Sequence, residues 1–393
     1  MKILMTNQSL SARAGSESYL ETVSAELRRL GHEVVLFSPR CGAVADGLRG
    51  AGFEVLDEVD DLPADVDVVH GQHSEAVALV RTRLRTPLVF VAHSWFVSIE
   101  DPLPELGAAA LVALNDLSHR RLAAHVASAG AELVRLTQPV TVSYADAGRR
   151  PPSSTGVRAV AVSRTMRQLP ARLADACAGL GFSFDWVGGP DRESADAREE
   201  VRSADVVFAV GRSALEAMAA ARATFVVDEA SLGGWVGPAS YTSLEADGFT
   251  GQLAGRGDQE LEQLLADYRP ELGADARRLA VRHHSAPHHA AALVELYARV
   301  ADRPVASTAP PSLGLLAHER FALETRAVEA EWRMAGLRRE VAELGDQLAS
   351  TRAELAEAVE QRDRFRRQRD RLRRRLAAPA AEPRRWLTRW RRR

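Results

Sequence analysis

Short apolar runs of strand length alternate along the chain with segments whose apolar residues have helical spacing. The first run, KILMT, is followed by a glycine-containing loop and then by a helical pattern. Its apolar positions are Tyr19, Leu20, Val23, Leu27 and Leu30. The alternation continues with the predicted strands GHEVVLFSP, FEVL, VDVVH, TPLVFVAH, ALVAL and ELVRL. Because strands that alternate with helices are typical of a doubly wound parallel sheet, we predict an α/β domain over residues 1–140.

A second α/β series follows a segment rich in Pro, Ser, Gly and Arg. This segment, residues 141–156, is predicted to be an interdomain linker. The second series contains the predicted strands VRAVAV, FSFDWV, DVVFAV and ATFVVD, and helical patterns dominate after them. It predicts a second, shorter α/β domain over residues 157–301.

The apolar pattern changes to heptads after a Pro-, Ser- and Ala-rich linker at residues 302–314. The first heptad position holds Met334, Val341, Leu348 and Leu355, and the fourth holds Leu337 and Leu344. This spacing predicts a coiled coil over residues 315–377 that joins copies of the chain into a homo-oligomer. The number and orientation of the helices stay open, and Arg362 and Arg369 at the first heptad position weaken the end of the pattern.

Charge is distributed very unevenly along the chain. The net charge is −2, and 46% of the 393 residues are hydrophobic, as in ordinary globular proteins. From residue 361 onward, fifteen Arg stand against three acidic residues, a local charge of +12, so the remainder carries about −14. The tail, residues 378–393, combines Trp386 and Trp390 with Arg. Such a composition suits an anionic surface, and over residues 384–393 we favour a membrane surface over nucleic acid.

Cysteine content and hydropathy indicate in which cellular compartment the protein works. Cys41 and Cys177 are far apart and lack the spacing of a metal site, which fits a reducing compartment. The N-terminal residues do not have the apolar core of a signal peptide, and no apolar run is long enough for a transmembrane helix. We therefore expect a cytoplasmic protein that associates peripherally with the inner face of the membrane.

Four segments carry a resemblance to a known family. They are the N-terminal block from MKILMTNQSL to GHEVVLFSP, the strand end PLVFVAHSWF, the helix and strand SALEAMAAARATFVVDE, and the closing helices RLAVRHHSAPHHAAALVELYARV. Over about residues 1–300 the chain resembles the GT-B glycosyltransferases of retaining family 4. The resemblance implies two Rossmann-like domains that face a cleft. It also implies transfer of a sugar from a nucleotide-diphosphate sugar to a glycan or lipid-linked acceptor, with no metal and no other cofactor.

The resemblance implies a set of donor-binding residues. Gly15 lies in the loop before the first helix, where backbone N–H groups and the helix dipole favour a phosphate, although a plain tight turn would also need glycine. Arg164 matches a diphosphate-binding arginine of the family. The family's neighbouring lysine is missing, so Arg167 or Arg172 would replace it with a different geometry. Both arginines could equally be solvated surface residues.

Glu216 is the single acidic residue on a small, apolar helix that opens with Gly211-Arg212-Ser213. The family's corresponding glutamate accepts hydrogen bonds from the donor's ribose hydroxyls, and Ser213 belongs to the same helix start. A carboxylate can accept two vicinal hydroxyls at once. The other interpretation is a half-exposed glutamate that the helix dipole favours.

The resemblance assigns His93, at the end of a predicted strand, to the transferred sugar and to catalysis. An imidazole there can donate a hydrogen bond to a sugar hydroxyl. Glu17, His73, Gly233 and Gly234 are further candidates for sugar or acceptor contacts. His70 and His73 have a spacing compatible with metal ligation, but no third ligand is evident, and we expect no metal site.

Two departures from the family pattern leave an alternative open. Phe208 stands where the family usually carries a second glutamate, and the lysine is absent. A GT-B-like scaffold without catalytic activity, acting through its coiled coil and basic tail, is therefore the second hypothesis. An epimerase of the same architecture is a more distant third.

Overall fold

A computed structural model describes most of the chain. The described residues are 1–95, 97–141, 156–163, 166, 168–188, 197–229, 231–254, 261–303, 305 and 310–377. Within them the chain forms twelve strands, twelve α-helices and three short 3-10 turns. Contacts divide the chain into two units, Met1–Phe321 and Ala322–Arg393. The described residues include no helix that is both long and apolar enough to cross a membrane.

Seven parallel strands form the first sheet, in the order β3-β2-β1-β4-β5-β6-β7. Strands β1 to β7 span Lys2–Thr6, Glu33–Phe37, Glu54–Leu56, Val68–Gly71, Leu88–Ala92, Ala110–Ala113 and Glu132–Arg135. Helices α1 to α4 span Gly15–Arg29, Ala43–Gly50, Ser74–Arg81 and Asp116–Ala129. The order is that of a Rossmann fold, in which ligands bind where the order reverses, here between β1 and β4.

A second sheet has the order β12-β11-β10-β8-β9, in which β12 alone runs antiparallel. Strands β8 to β12 span Arg158–Val162, Ser183–Val187, Val206–Ala209, Ala223–Asp228 and Ser231–Trp235. Helices α5 to α9 span Leu169–Gly179, Arg198–Ser203, Gly211–Ala219, Tyr241–Ala246 and Leu261–Ala266. Helices α10 to α12 span Glu271–His283, Ala286–Val300 and Pro311–Ala377. The predicted doubly wound α/β fold is therefore confirmed for both sheets.

Helix α11 packs on the first sheet, although the sequence assigned it to the second domain. Its residues Ala290, Leu293 and Leu296 are at most 1% exposed and belong to the same apolar core as Ile3 and Tyr19. The periodicity of α11 predicts an apolar face, but it does not specify which sheet that face covers. The chain thus returns to the first domain before it enters α12.

The segment that contains the candidates Gly233 and Gly234 is a strand. Ser231–Trp235 forms β12, which pairs with β11. A Cβ atom on Gly233 would lie 2.8 Å from Cγ1 of Val226 and 2.9 Å from Cδ2 of Leu244. Close packing against β11 and α8 therefore requires glycine at this position.

Helix α12 begins at Pro311, inside the predicted linker, and continues without a break to Ala377. The linker prediction at residues 141–156 falls almost wholly outside the described residues, and the basic tail at 378–393 lies entirely outside them.

Candidate functional site

A pocket of about 260 Å³ lies between the loop after β1 and the start of α7. Arg13, Ala14, Gly15 and Ser18 line it from the first domain. The second domain contributes the ends of β8 and β9, helix α6 and the first turns of α7. Since the carboxyl ends of parallel strands are where such sheets bind ligands, this is the position expected for a ligand site.

Three of the predicted donor-binding residues meet in this pocket: Gly15, Ser213 and Glu216. Gly15 begins α1, and a Cβ atom on it would lie 3.8 Å from Cβ of Arg212, so the loop backbone approaches α7 closely. Ser163, at the end of β8, also lines the pocket. The predicted Arg164 directly follows it, but Arg164 and Arg167 both lie outside the described residues.

Glu216 lies in the pocket wall with its side chain 19% exposed. Its Oε1 atom lies 3.3 Å from Nε of Arg212, one helical turn earlier. A carboxylate on an apolar helix needs such a partner. A carboxylate also has more acceptor positions than this single bond uses, so Glu216 retains capacity for ligand hydroxyls.

Arg212 connects the two domains through the pocket wall. Its guanidinium donates to the backbone oxygen of Pro139 and, at 2.7 Å, to Oγ1 of Thr22 on α1. A third bond of 3.3 Å reaches the backbone oxygen of Ser18. The residue is only 8% exposed, so its charge acts in a medium of lower dielectric than bulk water. The sequence interpretation did not select Arg212, although its i,i+4 spacing from Glu216 was a usable signal.

Histidines gather at the carboxyl ends of β4 and β5. The rings of His73 and His93 have centroids 6.4 Å apart, and the ring of Tyr19 lies 4.6 Å from that of His93. The Nδ1 atom of fully buried His70 lies 2.6 Å from the hydroxyl of Tyr297.

Burial lowers the pKa of His70 to about 3 and that of His73 to about 4. Burial, reinforced by neighbouring histidines and Arg212, holds the pKa of His93 well below its usual range. The cluster is therefore uncharged near neutral pH.

His73 has an unusual backbone conformation, with φ at 62°. Its Nδ1 accepts a 3.1 Å hydrogen bond from the backbone N–H of Gln8, in the loop after β1. A positive φ at a non-glycine residue costs free energy and is found most often where surrounding structure enforces it, frequently at functional sites. The predicted candidate His73 is thus fixed beside His93.

Glu100 holds the backbone after β5. Its Oε2 atom accepts hydrogen bonds of 2.5 Å from the N–H groups of both His93 and Ser94. Burial raises the pKa of this carboxyl to about 7, partly opposed by those same two backbone bonds. Glu100 lies in the 3-10 turn Ser98–Glu100, and no sequence pattern predicted this role.

Buried polar atoms without a protein partner concentrate at the same strand ends. In the part of the chain that the structure describes, they include Nδ2 and Oδ1 of Asn7, Oε1 of Gln8, Nε2 of His70, Nε2 of Gln72, Nδ1 of His93 and Oγ of Ser94. Buried polar groups are nearly always hydrogen-bonded, and each unsatisfied one costs about 1–3 kcal/mol. The set contains donors and acceptors but no formal charge, which suits neutral hydroxyl groups.

Other candidates lie elsewhere or have structural roles. Glu17 is buried and its Oε2 atom accepts the N–H of Ala14 at 3.0 Å, so it caps its own helix. Gly233 borders a separate depression of about 730 Å³ beside Trp235 and Tyr268, and Gly234 lies next to it in β12. Phe208 is fully buried between the rings of Phe184 and Phe225. These residues do not line the pocket that contains Glu216.

Among the residues that the structure describes, no group of three or more His, Cys, Asp or Glu side chains is arranged to hold a metal ion.

Comparisons with known proteins identify the fold. No protein-family model matches the sequence, and no curated protein matches it significantly. Among solved structures, the chain is similar to HepE of Anabaena in complex with UDP, with a TM-score of 0.50 and 13% identity, over 76% of this chain and all of HepE. It is also similar to AviGT4, a glycosyltransferase of avilamycin A biosynthesis, with a TM-score of 0.44 and 18% identity, over 76% of this chain and 98% of AviGT4. At the identity shared with HepE the likeness is one of fold, and the two Rossmann-like domains of this chain form a GT-B fold.

Proposed function

We propose that this protein is a glycosyltransferase that moves a sugar from a nucleotide-diphosphate sugar to a glycan or lipid-linked acceptor, with retention of configuration. The observation that carries the proposal is the pocket that brings Gly15, Arg212, Ser213 and Glu216 together across two domains. HepE, which shares the fold, was crystallised with UDP, and UDP is therefore the first nucleotide to test.

The charges of the pocket fit a nucleoside diphosphate. Arg13 and Arg212 line it, and α1 and α7 both begin at it, so that their N-terminal N–H groups add partial positive charge. Fixed cations that face a leaving diphosphate stabilise the charge that develops as the glycosidic bond breaks. In this proposal arginines supply that charge, Arg164 and Arg167 among them, and Glu216 accepts the ribose hydroxyls.

The sugar would occupy the uncharged part of the site around His93. Neutral imidazoles, the unpartnered side-chain amide of Asn7 and the unpartnered Nε2 of Gln72 can exchange hydrogen bonds with hydroxyl groups without attracting an anion. Arg212 donates to the backbone oxygen of Ser18, and the ring of the next residue, Tyr19, lies 4.6 Å from that of His93, so the cationic and neutral parts are neighbours. We assign His93 the catalytic contact with the transferred sugar.

Nucleotide binding should depend on Glu216. We expect one of UDP, GDP, ADP or TDP, or its sugar, to raise the melting temperature of the wild type by a few degrees. This corresponds to about 2.7 kcal/mol at roughly 100 times the dissociation constant. Glu216→Ala removes the acceptor for two hydroxyls, so the dissociation constant should rise by about 10- to 100-fold. A thermal-shift panel followed by calorimetric titration measures both effects.

The matched control is Glu262→Ala, which removes an exposed carboxylate from α9 in the same domain and should bind nucleotide as the wild type does. If no nucleotide stabilises the folded wild type at high concentration, the glycosyltransferase proposal fails, and the scaffold hypothesis replaces it.

We further propose that α12 joins copies of the chain through its heptads. Apolar side chains at the predicted seam are exposed in the single chain, including Met334 at 51%, Leu348 at 52% and Leu355 at 64%. Water-exposed apolar residues at this spacing favour burial against a second helix. The basic tail at 384–393 would then present several copies of an Arg/Trp segment to an anionic membrane surface.

The double substitution Leu348→Asp with Leu355→Asp should convert the oligomer to a single chain, because it places carboxylates in the seam. Light scattering coupled to size-exclusion chromatography measures the mass. Ala349→Asp with Ala353→Asp adds the same charge at exposed positions outside the seam and should leave the mass unchanged. A wild type that elutes with the mass of one chain at high concentration would refute self-association.

A further inference from the structure

The first turns of α12 are built into the compact unit Met1–Phe321. Leu313 is 8% exposed and belongs to an apolar core cluster of the first sheet. Gly314 lies over α3, where a Cβ atom would approach Cδ2 of Leu79 to 3.2 Å. These two residues pack the base of the helix, residues 311–321, against the first domain.

His318, in this base, contacts a buried carboxylate. Its Nδ1 atom lies 2.7 Å from Oε1 of Glu75, whose side chain is only 4% exposed. Glu75 also accepts hydrogen bonds from Arg40, at 3.1 Å, and from Nε2 of Gln8. Glu75 follows His73 by two residues, and the backbone N–H of Gln8 donates to His73. His318 therefore completes a network that fixes the loop after β4.

Arg320 reaches the other loop. Its Nη2 atom lies 3.7 Å from Oδ2 of Asp101. The two carboxylate oxygens of Asp101 also accept hydrogen bonds of 2.5 and 2.6 Å from Arg121. Asp101 directly follows Glu100, the residue that accepts the N–H groups of His93 and Ser94. The second contact of the helix base is thus made next to the residue that holds the His93 backbone.

We propose that His318 and Arg320 are positioning residues for the sugar side of the site. They act through Glu75 and Asp101 on the two loops that carry His73 and His93. The statement about catalysis rests on the proposed glycosyltransferase function, whereas the statement about the loops does not. Both residues belong to α12, which continues to Ala377. The segment in which the sequence predicts a coiled coil therefore also supports the proposed sugar site of the first domain.

Hydrogen exchange measured by mass spectrometry on the full chain tests the loops directly. Relative to the wild type, His318→Ala with Arg320→Ala should raise the amide exchange rate by about tenfold in peptides covering residues 72–78 and 93–101, since the hydrogen bond to Glu75 and the ion pair with Asp101 that restrain the two loops are lost. Peptides covering 211–219 should exchange as in the wild type. UDP-dependent stabilisation should persist, and turnover of the UDP-sugar should fall about tenfold with its KM unchanged.

Two further variants separate positioning from general destabilisation. His318→Gln retains a donor for Glu75 and should restore protection of residues 72–78, which a loss of helix packing would not allow. Arg326→Ala removes an exposed cation further along α12 and should change neither loop. If the double variant does not fold, the two single variants are compared in the same way.

Unchanged exchange in both loops would overturn the positioning proposal even in a protein that binds UDP. Conversely, a wild type that binds no nucleotide would end the glycosyltransferase proposal while the exchange result still decides whether the helix base holds the loops.

Discussion

Arg212→Met should produce a folded protein that no longer binds nucleotide and is less stable by about 3–5 kcal/mol. The substitution removes the cation that joins α7 to Ser18 and Thr22 of α1 and to the backbone oxygen of Pro139. It also leaves Glu216 without its bond to Arg212. Binding fails because a diphosphate loses one of the charges of the pocket, and stability falls because buried acceptors lose their donor.

Urea unfolding and UDP titration separate the two effects. Arg222→Met is the matched control, because Arg222 is also buried in the second domain but donates to the backbone oxygen of Ala204, away from the pocket. It should lower stability and leave UDP affinity intact. Arg212→Lys keeps the charge without the planar fork and should bind UDP more weakly than the wild type. UDP binding by Arg212→Met at wild-type affinity would show that the pocket is not the diphosphate site.

The strands were predictable from sequence because strands of parallel sheets are buried on both faces. Such strands appear as continuous apolar runs, as in TPLVFVAH, which contains β5 at Leu88–Ala92. The run DVVFAV likewise contains β10 at Val206–Ala209. Strand β12 could not be predicted in this way, because close packing against Val226 requires a glycine where a strand normally has a side chain.

The site was only partly predictable. Glu216 could be selected from its place one turn into a helix that follows a strand, and it does line the pocket. The bonds of Arg212 and Glu100 depend on how the chain folds back: Arg212 reaches Thr22, which lies 190 positions earlier. Periodicity describes neighbours within one element and therefore contains no information on such contacts. The same reason explains why the packing of α11 on the first sheet was missed.

Mild acid should destabilise the protein strongly. Burial lowers the pKa of five histidines in the protein interior, to about 3 for His70 and His289, to about 4 for His73 and His284, and well below its usual range for His93. In the unfolded chain each titrates near its ordinary pKa of about 6.5, so the unfolded state binds more protons below that pH. Stability is therefore retained above about pH 6.5 and lost as the pH falls. As the pH falls from about 7.5 to 5.5, each of these histidines lowers the free energy of unfolding by about 1.4 kcal/mol, and the five together lower it by about 7 kcal/mol.

Glu100 opposes this loss, because its pKa is raised to about 7 in the folded protein. A carboxyl whose pKa is raised in the folded protein stabilises that protein at low pH, and this contribution is lost as the pH rises through the raised pKa. Between about pH 7.5 and 5.5, Glu100 therefore offsets about 2 kcal/mol of the loss caused by the histidines. Glu17, whose pKa burial also raises, acts in the same direction. The histidines outweigh the carboxyls, so a net loss of about 5 kcal/mol is expected, a large part of the stability of an ordinary domain.

Urea unfolding at the two pH values measures the net loss, and a matched pair of variants shows its origin. His284→Gln removes one buried imidazole and should reduce the pH dependence by about 1.4 kcal/mol, whatever its effect on stability at pH 7.5. His288→Gln removes an exposed imidazole from α11 and should leave the dependence unchanged. Equal stability at both pH values would mean that the folded protein ionises these histidines without penalty. The uncharged sugar site around His70, His73 and His93 would then have to be abandoned as well, because it depends on the same burial.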